Sequence, residues 1–423
     1  DLLNYLCKKN TQMQFTELHL NASLLKAIAE ERFQTPTQVQ EKAIPPILAK
    51  KNVIVSAQTG TGKTAAFALP ILQLLLDRQT PEKKTKRIKS LIVTPTRELC
   101  LQIEANFKSY AKHTDLTTTA VYGGVSLTPQ KEILKEGVDI LIATPGRLID
   151  LHKQGAIDLR AIEIFVLDEA DLMLDMGFIN DVTTIESLCP RKKQSLLFSA
   201  TIPDKIVALS KTMIKNPITI KINPAETTAK TIGQLLYYSP KKNKTDLCLH
   251  LLRNTINGKI IIFRRTRIGV DKLEETLSKN GYKVTSIHGE KTQIIRNKAI
   301  EDFKNKKATI LIATDVAARG IDINNVDAII NFDIPNIPET YIHRIGRTGR
   351  AGKSGIAFSF CSPDEDTYIK TIEELLQRPI KVITDHPYPR VQPKKQKKQP
   401  NTISKHKKGR KSEASKKKKK RWY

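Results

Sequence analysis

Short runs of apolar residues recur along the chain, without the alternation of apolar and polar positions that marks a half-exposed strand. In the first half these runs are Asn52–Ala57, Ser90–Pro95, Asp139–Pro145, Ile164–Asp171 and Ser195–Thr201. Stretches with amphipathic helical patterning, such as Glu98–Ala111, separate them. Strands that are apolar throughout are typical of parallel sheets with helices on both faces. The pattern therefore predicts a doubly wound α/β fold.

The second half of the chain repeats this pattern. Its apolar runs are Lys259–Thr266, Lys283–Gly289, Thr309–Asp315, Ala328–Pro335 and Gly355–Cys361. The pentapeptide ILIAT occurs in both halves, at Ile140–Thr144 and Ile310–Thr314, and the segments around it echo one another in the same order. Ordered repetition predicts duplication of one α/β unit. Thr144 and Thr314 would then end equivalent strands, where they could face one shared ligand or only cap their own helices.

Composition indicates where the two units begin and end. We expect a first domain at 15–216 and a second at 231–378, joined by the polar linker 217–230 and preceded by the extension 1–14. In residues 379–423 Pro and Lys dominate, which predicts a disordered segment. The predicted fold class is α/β, with two tandem doubly wound parallel-sheet domains and a disordered basic C-terminal tail.

The net charge of +28 narrows the choice of partner. Residues 394–421 contain 15 Lys and Arg against one acid, Glu413. A basic run is often only a solvated tail, but it can also tether a polyanion, and the remaining chain is basic too. We therefore expect a phosphate-rich partner. The run KKKKKR is also compatible with a nuclear address.

Two further features concern the cell compartment. No apolar run approaches the roughly 20 residues that a bilayer-spanning helix needs, so we expect no membrane partner. The five cysteines are scattered and form no CxxC pair, which indicates a reducing compartment. Together these features predict a cytoplasmic protein.

The segment AQTGTGKT follows a predicted strand and precedes an apolar helical stretch. This context suits a loop that binds nucleotide phosphates through backbone N–H groups and the start of a helix. Gly60 and Gly62 would let the backbone approach the phosphates, Lys63 would contact the β and γ phosphates, and Thr64 would bind Mg²⁺. The predicted nucleotide-binding residues of this loop are Ala57, Gln58, Thr59, Gly60, Thr61, Gly62, Lys63 and Thr64. A Gly-rich turn without a ligand is the alternative.

Another strand, in VLDEAD, ends in acidic side chains. Acids at the carboxyl end of a parallel strand lie in the crevice where ligands bind. Asp168 is predicted to hold Mg²⁺, and Glu169 to polarise the water that attacks the γ phosphate. A solvated turn in which an Asp caps a helix is the alternative.

The second half has no GKT segment but contains HRIGRTGR, residues 343–350. Arginines spaced by glycines are poorly suited to building a core. We predict that Arg347 and Arg350 reach the triphosphate held by the first half and stabilise the charge that develops there during transfer. An exposed basic turn is the alternative for each of them.

Together these motifs resemble those of the DEAD-box ATP-dependent RNA helicases of superfamily two, and in detail those of the bacterial RhlE-like subgroup. The resemblance covers about residues 15–379. It implies that both domains are RecA-like, that ATP and Mg²⁺ are the cofactors, and that RNA is the partner.

The resemblance also implies an adenine-binding segment in RFQTPTQVQ, residues Arg32–Gln40. Phe33 would stack on the base and Gln40 would hydrogen-bond its edge, while Phe15 matches an aromatic residue upstream. Arg32 occupies a position where the family usually has Gly.

Further roles come from the resemblance alone. Asp322 would face the ribose of ATP. The residues implied to couple hydrolysis to strand separation are Asp171, Ser199, Thr201 and His343. The residues implied to contact RNA are Pro95, Thr96, Arg97, Gly124, Thr144, Arg147, Thr266, Thr314 and Arg319. Gln293 and Arg296 match a family motif in HGEKTQIIR.

The function implied is RNA-stimulated ATP hydrolysis coupled to local unwinding of short duplexes, with single-stranded or duplex RNA bound irrespective of sequence. We expect a monomer, an RNA-anchoring tail, and a role in RNA remodelling with partners in ribosome assembly or RNA degradation. Two alternatives remain open. One is a DNA-directed helicase-like ATPase, and the other is an RNA clamp or annealing scaffold that does not unwind.

Overall fold

The computed structural model describes residues 13–58, 60–78, 87–222, 232–318, 321, 323, 326–349 and 355–390. Within these ranges the strands form two parallel sheets of seven strands each. This confirms the predicted α/β class and the two tandem doubly wound domains.

The first sheet has the strand order β3-β4-β2-β5-β6-β1-β7. Its strands are β1 (Val53–Ser56), β2 (Ser90–Val93), β3 (Thr118–Val121), β4 (Ile140–Ala143), β5 (Ile164–Asp168), β6 (Gln194–Ser199) and β7 (Ile218–Lys221). The helices of this half are α1 (Ala22–Glu30), α2 (Gln38–Leu48), α3 (Lys63–Leu76), α4 (Arg97–Tyr110), α5 (Thr128–Glu136), α6 (Pro145–Lys153), α7 (Ala170–Asp175), α8 (Ile179–Leu188) and α9 (Asp204–Met213). A 3₁₀ helix, Phe15–Leu18, precedes them.

The second sheet has the strand order β10-β11-β9-β12-β13-β8-β14. Its strands are β8 (Ile232–Tyr238), β9 (Ile260–Phe263), β10 (Val284–Ile287), β11 (Ile310–Ala313), β12 (Ala328–Asn331), β13 (Gly355–Cys361) and β14 (Lys381–Ile383). The helices are α10 (Lys244–Asn254), α11 (Arg267–Lys279), α12 (Gln293–Lys304), α13 (Asp315–Ala318), α14 (Pro338–Ile345) and α15 (Asp366–Leu376), with 3₁₀ turns at Lys241–Asn243 and Pro363–Glu365.

The two sheets have one topology. Adding seven to each strand number of the first order gives the second order. The repeated ILIA segments are β4 and β11, which occupy equivalent places. The backbone N–H of Thr144 donates to Val121 O at 3.0 Å, and that of Thr314 donates to Ile287 O at 3.4 Å. Both threonines therefore end equivalent strands, as the duplication predicts.

Helices cover both faces of each sheet and bury separate clusters of apolar residues there. In the first half, Phe67 of α3 packs edge-on against Phe198 of β6, with ring centroids 5.1 Å apart. Nearly every side chain of α3 is buried, which is the arrangement expected for a helix that is apolar all round. This packing fixes the start of α3, where the GKT segment lies.

Two predicted boundaries differ from the structure. The predicted linker, 217–230, begins with β7, which pairs with β1, so the first domain extends past residue 216. Only Ile220 of β7 is buried, because this is an edge strand with one covered face, and its polar pattern resembles a linker. The predicted tail, 379–423, begins with β14, which pairs with β8, and Tyr388 packs against the core of the second half.

Other expectations concern residues outside the described part, among them 1–12, 223–230 of the predicted linker and 391–423. The four described cysteines are buried and unbonded to one another. Among the described helices none has both the length and the apolar character needed to cross a membrane.

Candidate nucleotide and nucleic-acid site

The glycine-rich loop lies between β1 and the start of α3. Gly60 and Gly62 have φ of +80° and +93°, a conformation that favours glycine. A Cβ atom on Gly62 would lie 2.4 Å from Gln40 Nε2, so this position has no room for a larger residue. Thr61 Oγ1 donates to Gln58 O at 2.7 Å and closes the loop. Thr59 lies outside the described residues.

Lys63 is the first residue of α3, and its side chain is 6% exposed. Its Nζ lies 2.8 Å from Glu169 Oε1, so the predicted phosphate-binding lysine and the predicted catalytic glutamate form a buried ion pair. Burial by itself would lower the pKa of Lys63, but the charges of Glu169, Asp168 and Asp171 outweigh it and raise the pKa above its ordinary value. The ammonium group therefore stays charged.

Asp168 ends β5 and is 3% exposed. Burial raises the pKa of Asp168 to about 7, the charge of Glu169 adds to this effect, and Lys63 opposes it. Its Oδ1 atom is buried without a hydrogen-bond partner in the described structure. A buried carboxylate oxygen without a protein donor is suited to a hard cation such as Mg²⁺, for which oxygen is the preferred ligand. Thr64 lies half-buried in the adjoining first turn of α3.

Glu169 starts α7 with a left-handed backbone, φ +52° and ψ +52°. This conformation costs a non-glycine residue roughly 1–2 kcal/mol, and such strain recurs at functional sites. It turns the chain sharply at the end of β5, between the carboxylates of Asp168 and Glu169.

Asp171 connects the acidic segment to the end of β6. Its Oδ2 accepts hydrogen bonds from Thr201 N at 3.1 Å and Thr201 Oγ1 at 3.0 Å. Its backbone N–H donates to Ser199 Oγ at 3.1 Å. The structure thus joins the three first-half residues for which the resemblance implied a coupling role. The fourth, His343, lies half-buried on α14 of the second half.

Gln40 lies in α2 and contacts the glycine-rich loop directly. Its Oε1 accepts a hydrogen bond from Thr37 N at 2.9 Å, and its Nε2 donates to Gly62 O at 3.2 Å. One N–H of the amide remains for another acceptor. The adenine-binding segment and the phosphate-binding loop are therefore held together at the residue that was predicted to bond the base.

Phe33 presents a partly exposed ring, 37% accessible, beside the same segment. It stacks on buried Phe15 with centroids 6.3 Å apart, and Tyr110 lies 6.1 Å away on another side. Both aromatic residues that the sequence singled out thus belong to one cluster. Arg32, at the position where the family usually has Gly, has a φ of +60°.

Arg344 and Arg347 of the second half do not lie in an exposed turn. Arg344 is 2% exposed and donates from Nε and Nη2 to the two carboxylate oxygens of Asp315, at 2.6 and 2.8 Å. Its Nη1 donates to Asn331 Oδ1 and Asp333 O. The expectation that such arginines build no core is wrong for Arg344, because acceptors from three segments surround its guanidinium.

Arg347 is also buried, and its Nη1 donates to Ile321 O at 2.9 Å. This carbonyl belongs to the second half, so the described contact is local to that half. Arg350, Arg319 and Asp322 lie outside the described residues. The proposed reach of Arg347 and Arg350 toward the triphosphate stays a prediction.

The residues implied to contact RNA follow strand ends in both halves. Thr96 and Thr266 cap α4 and α11, accepting from Leu99 N at 3.3 Å and Gly269 N at 3.1 Å. The same helix-capping hydrogen bond thus recurs at equivalent positions of the two domains. Pro95 is buried just before the first of these caps.

Arginine side chains of the first half are held over the neighbouring loop. Arg97 packs over the Tyr122 ring, 4.6 Å from its centroid, and Gly124 follows with φ of +78°. Arg147 Nη2 donates to Val125 O at 2.9 Å. Arg97 Nε and Arg147 Nη1 are buried without a hydrogen-bond partner in the described structure. They therefore retain donors for an acidic ligand.

Sequence reasoning missed Glu98, which joins the two halves. Its Oε1 accepts from Gln293 Nε2 at 2.8 Å and lies 3.1 Å from Arg296 Nη2. Glu98 belongs to α4, whereas Gln293 and Arg296 belong to α12 across the chain. The spacing of Gln293 and Arg296, one helical turn apart, is the only local signal for this contact.

The segment RRTR after β9 is also explained by contacts that sequence could not supply. Arg264 Nε donates to Asp333 Oδ2 at 2.9 Å, and Arg265 Nη2 donates to Glu365 Oε1 at 3.0 Å. Arg267 pairs with Glu290. These side chains hold the second half together around the cap of α11.

The fold and these contacts define a nucleotide-binding enzyme of two similar parallel-sheet domains, with its charged cluster at the carboxyl ends of the first sheet. Two family models match the chain: DEAD/DEAH box helicase over residues 37–209 and helicase conserved C-terminal domain over residues 243–352.

Named relatives agree with these matches. The DEAD-box ATP-dependent RNA helicase RhpA of Helicobacter pylori is 44% identical over 351 residues, which span 83% of this chain and 70% of RhpA. The ATP-dependent RNA helicase SrmB of Escherichia coli is 42% identical over 88% of this chain and 84% of SrmB. The structure of S. cerevisiae Dbp5 bound to RNA and ADP BeF3 superposes with a TM-score of 0.78 at 32% identity, covering 88% of this chain and 95% of the solved Dbp5 chain.

The chain therefore belongs to the DEAD-box family of ATP-dependent RNA helicases, as the motifs predicted. It is an ATP-hydrolysing RNA helicase. RhpA, SrmB and the other relatives found do not distinguish the RhlE-like subgroup, which stays a prediction.

Proposed function

We propose that the cluster of Lys63, Asp168 and Glu169 hydrolyses ATP and that closure of the two domains couples this reaction to local separation of RNA strands. The observation that carries the proposal is the buried Lys63–Glu169 ion pair beside the glycine-rich loop. It brings a phosphate-binding cation and a general base to one place.

In this proposal the phosphates of ATP bind the loop N–H groups and Lys63, which frees Glu169 from its ion pair. Glu169 then accepts a proton from a water molecule whose oxygen attacks the γ phosphorus. The bond from that phosphorus to the bridging oxygen breaks, and the electron pair leaves with ADP. Arg347 and Arg350 would stabilise the charge on the transferred group.

Asp168 and Thr64 are the residues that would hold Mg²⁺. The unpartnered Oδ1 of Asp168 supports this assignment, because a cation would satisfy it. When bound, Mg²⁺ would offset the negative charge of the phosphates. For the base, the open face of Phe33 supports stacking, and the remaining N–H of Gln40 supports a hydrogen bond. Asp322 would bind the ribose.

RNA is proposed to lie along the strand ends of both domains. The partner-free donors of Arg97 and Arg147 support contacts to phosphates, and such contacts carry no base sequence. Thr96, Gly124, Thr144, Thr266, Thr314 and Arg319 would complete the track. SrmB and RhpA are named RNA helicases, and Dbp5 and Mss116 have been solved with RNA. These names support RNA over DNA.

We propose that the two domains close through the contacts of Glu98 with Gln293 and Arg296. If ATP and RNA each contact both domains, each stabilises the closed arrangement and each raises the affinity for the other by the same factor. The Asp171–Ser199–Thr201 contacts, with His343, would transmit the state of the phosphates to the RNA track. We further propose a monomeric, cytoplasmic enzyme with an RNA-anchoring tail, acting in ribosome assembly or RNA decay.

The substitution Glu169→Gln tests the catalytic assignment. Because the amide cannot accept the proton, we expect RNA-stimulated ATP turnover to fall by at least about 100-fold while ATP still binds. Glu132→Gln, on the exposed face of α5, is the matched control. Full turnover in Glu169→Gln would remove Glu169 from its role.

Strand displacement separates the remaining alternatives. We expect an RNA duplex to open with ATP but not with a non-hydrolysable analogue, and single-stranded DNA to stimulate hydrolysis less than RNA does. Equal stimulation by DNA would favour a DNA-directed enzyme. Hydrolysis without displacement would favour an RNA clamp.

A further inference from the structure

A second cleft lies at the amino-terminal ends of the strands of the first sheet. The nucleotide site lies at the opposite, carboxyl-terminal ends of these strands. Two adjoining cavities of about 860 and 540 Å³ share Glu163 and Lys192. Their walls come from the residues just before β1, β2, β4, β5 and β6. None of the catalytic, ATP-binding or RNA-binding residues assigned above belongs to either lining.

The cleft is basic after its internal ion pairs are taken into account. Seven basic and three acidic side chains line the two cavities. Lys89 lies 3.0 Å from Glu163, which also pairs with Arg78, and Arg160 lies 2.9 Å from Asp158. Arg160 lowers the pKa of Asp158 to about 2, so that carboxylate stays paired rather than taking up a proton.

Lys50, Lys192 and Arg87 supply the surplus positive charge. Lys50 and Lys192 are exposed, and neither has an ion-pair partner in the part of the chain that the structure describes. Lys192 borders both cavities, and Lys50 borders the smaller one. An acidic ligand that lies along the cleft would meet both ammonium groups.

The floor of the larger cavity is aliphatic. Ile88, Val138, Ile157 and Ile162 line it, together with Leu134 and Ala156. The first four belong to the core of the first domain and are at most 8% exposed, so the apolar surface that a ligand could cover comes from the partly exposed Leu134 and Ala156. The basic rim and the apolar floor together therefore fit a single ligand that carries both acidic and aliphatic groups.

Single-stranded RNA fits the cleft less well than a peptide does. Proteins that bind RNA strands without sequence preference supply aromatic rings on which bases stack, and no aromatic residue is among the described lining. The segment 79–86 of this chain lies outside the described residues, and its three lysines and one glutamate give it the same sign of charge as the cleft.

We propose that this cleft is a docking site for a short acidic peptide segment of a partner protein, anchored by an aliphatic side chain. The acidic residues pair with Lys50 and Lys192, and the aliphatic side chain packs against Leu134 and Ala156. Because the cleft and the nucleotide site lie at opposite ends of the strands, the partner can remain bound while ATP and RNA bind elsewhere.

The test selects 12-residue peptides from a displayed random library against the full chain. We expect the enriched peptides to be acidic with aliphatic residues, and to bind Lys50→Glu/Lys192→Glu roughly tenfold more weakly than the wild type. Lys192→Gln should give an intermediate loss. Lys272→Glu/Lys298→Glu, which reverses two exposed charges of the second domain, is the matched control and should bind like the wild type.

Three results would overturn the proposal. They are the absence of acidic peptides from the enriched set, equal peptide binding by the charge-reversed variant, and a loss of decauridine affinity in that variant without loss of peptide affinity. RNA-stimulated ATP hydrolysis should be unchanged in Lys50→Glu/Lys192→Glu. The docking site and the catalytic mechanism can therefore fail independently.

Discussion

Arg32 occupies the C′ position that follows α1, in a turn that places Phe33. Its N–H donates to Ala29 O, and the N–H of Phe33 donates to Ile28 O, which is the hydrogen-bond pattern of a Schellman motif. This position requires a left-handed backbone, and Arg32 adopts it with a φ of +60°. Arg32 thus adopts the backbone conformation for which Gly is the usual residue.

Arg32→Gly should therefore stabilise the protein. Glycine relieves the left-handed strain but loses more entropy on folding, so we expect the free energy of unfolding to rise by up to about 1 kcal/mol. Urea unfolding measures this. Arg32→Ala is the control, because alanine remains strained; an equal gain there would assign the effect to the charge of Arg32.

Thr201 offers a second test at the scale of single residues. Thr201→Val removes the hydroxyl that donates to Asp171 Oδ2 but leaves the backbone N–H in place. We expect ATP turnover to change little and the strand displaced per ATP hydrolysed to fall about tenfold, which corresponds to about 1.4 kcal/mol of coupling.

Thr212→Val is the matched control for that substitution, because the Thr212 hydroxyl donates only to Leu209 O within its own helix. Parallel assays of hydrolysis and displacement decide the outcome. Proportional losses of both activities in Thr201→Val would show that Thr201 supports the site as a whole rather than the coupling.

The local charged motifs were predicted from sequence because each is a short segment at the end of one strand. Lys63, Asp168 and Glu169 need only β1, α3 and β5 to come together, and parallel sheets bring such ends to one edge. Glu98 could not be found in this way, since Gln293 lies 195 residues further along the chain. The role of Arg344 likewise depends on acceptors from distant segments.

At the scale of elements, a buried network holds the second domain around the 3₁₀ turn Pro363–Glu365. Lys244 is 1% exposed and donates to Phe332 O and to Glu365. Glu365 also accepts from Ile334 N and Ser362 N, each at 3.0 Å. The network thus links α10 to the loops that follow β12 and β13.

Glu365→Gln should destabilise the second domain, because it leaves the Lys244 ammonium buried without a counter-charge. We expect a loss of about 3–5 kcal/mol in the free energy of unfolding. Lys244→Met/Glu365→Leu removes both charges and should cost much less. If the single and double variants lose equal stability in urea, packing rather than charge compensation explains the network.

The predicted runs include the strands that are apolar throughout and the edge strand β10, but they miss the edge strands β3, β7 and β14 and also β8, in which buried and more exposed positions alternate at its start. The segments β4 and β11 are apolar throughout because helices cover both faces of their sheets. Edge strands β7 and β14 have exposed positions, and their sequences, ITIK and KVI, resemble polar connections. The domain boundaries were displaced for the same physical reason.

At the scale of the whole molecule, the contacts of Glu98 predict how strongly closure depends on one side chain. Glu98→Ala removes the acceptor shared by Gln293 and Arg296. Hydrogen bonds to a charged group contribute about 1.5–3 kcal/mol, so RNA affinity measured with an ATP analogue should fall by roughly 10- to 100-fold. RNA affinity without nucleotide should change much less.

Glu104→Ala is the matched control on the same helix, because the described ion pair and hydrogen bond of Glu104, with Lys108 and Ala120 N, both lie within its own domain. We expect it to leave the nucleotide-dependent gain in RNA affinity intact. If the nucleotide-dependent gain in RNA affinity is undiminished in Glu98→Ala, the contacts of Glu98 do not determine closure of the domains.

The tail is proposed to contribute a different kind of binding energy from that of the folded domains. Residues 394–421 hold 15 Lys and Arg and one acid, so any RNA they bind releases counterions. Truncation after Pro393 should weaken RNA binding and flatten its dependence on salt, by about 0.7 in log–log slope for each phosphate that is no longer neutralised. Hydrolysis of ATP without RNA should be unaffected, because the charged cluster at Lys63 lies in the first domain.

A tail of the same composition in shuffled order separates charge from sequence. If the tail acts as a polyanion tether, the shuffled chain should retain both the RNA affinity and the salt slope of the wild type. Fluorescence anisotropy of a labelled single-stranded RNA at several salt concentrations gives both quantities. A salt slope unchanged by truncation would mean that the folded domains supply the phosphate contacts and that the tail serves another purpose.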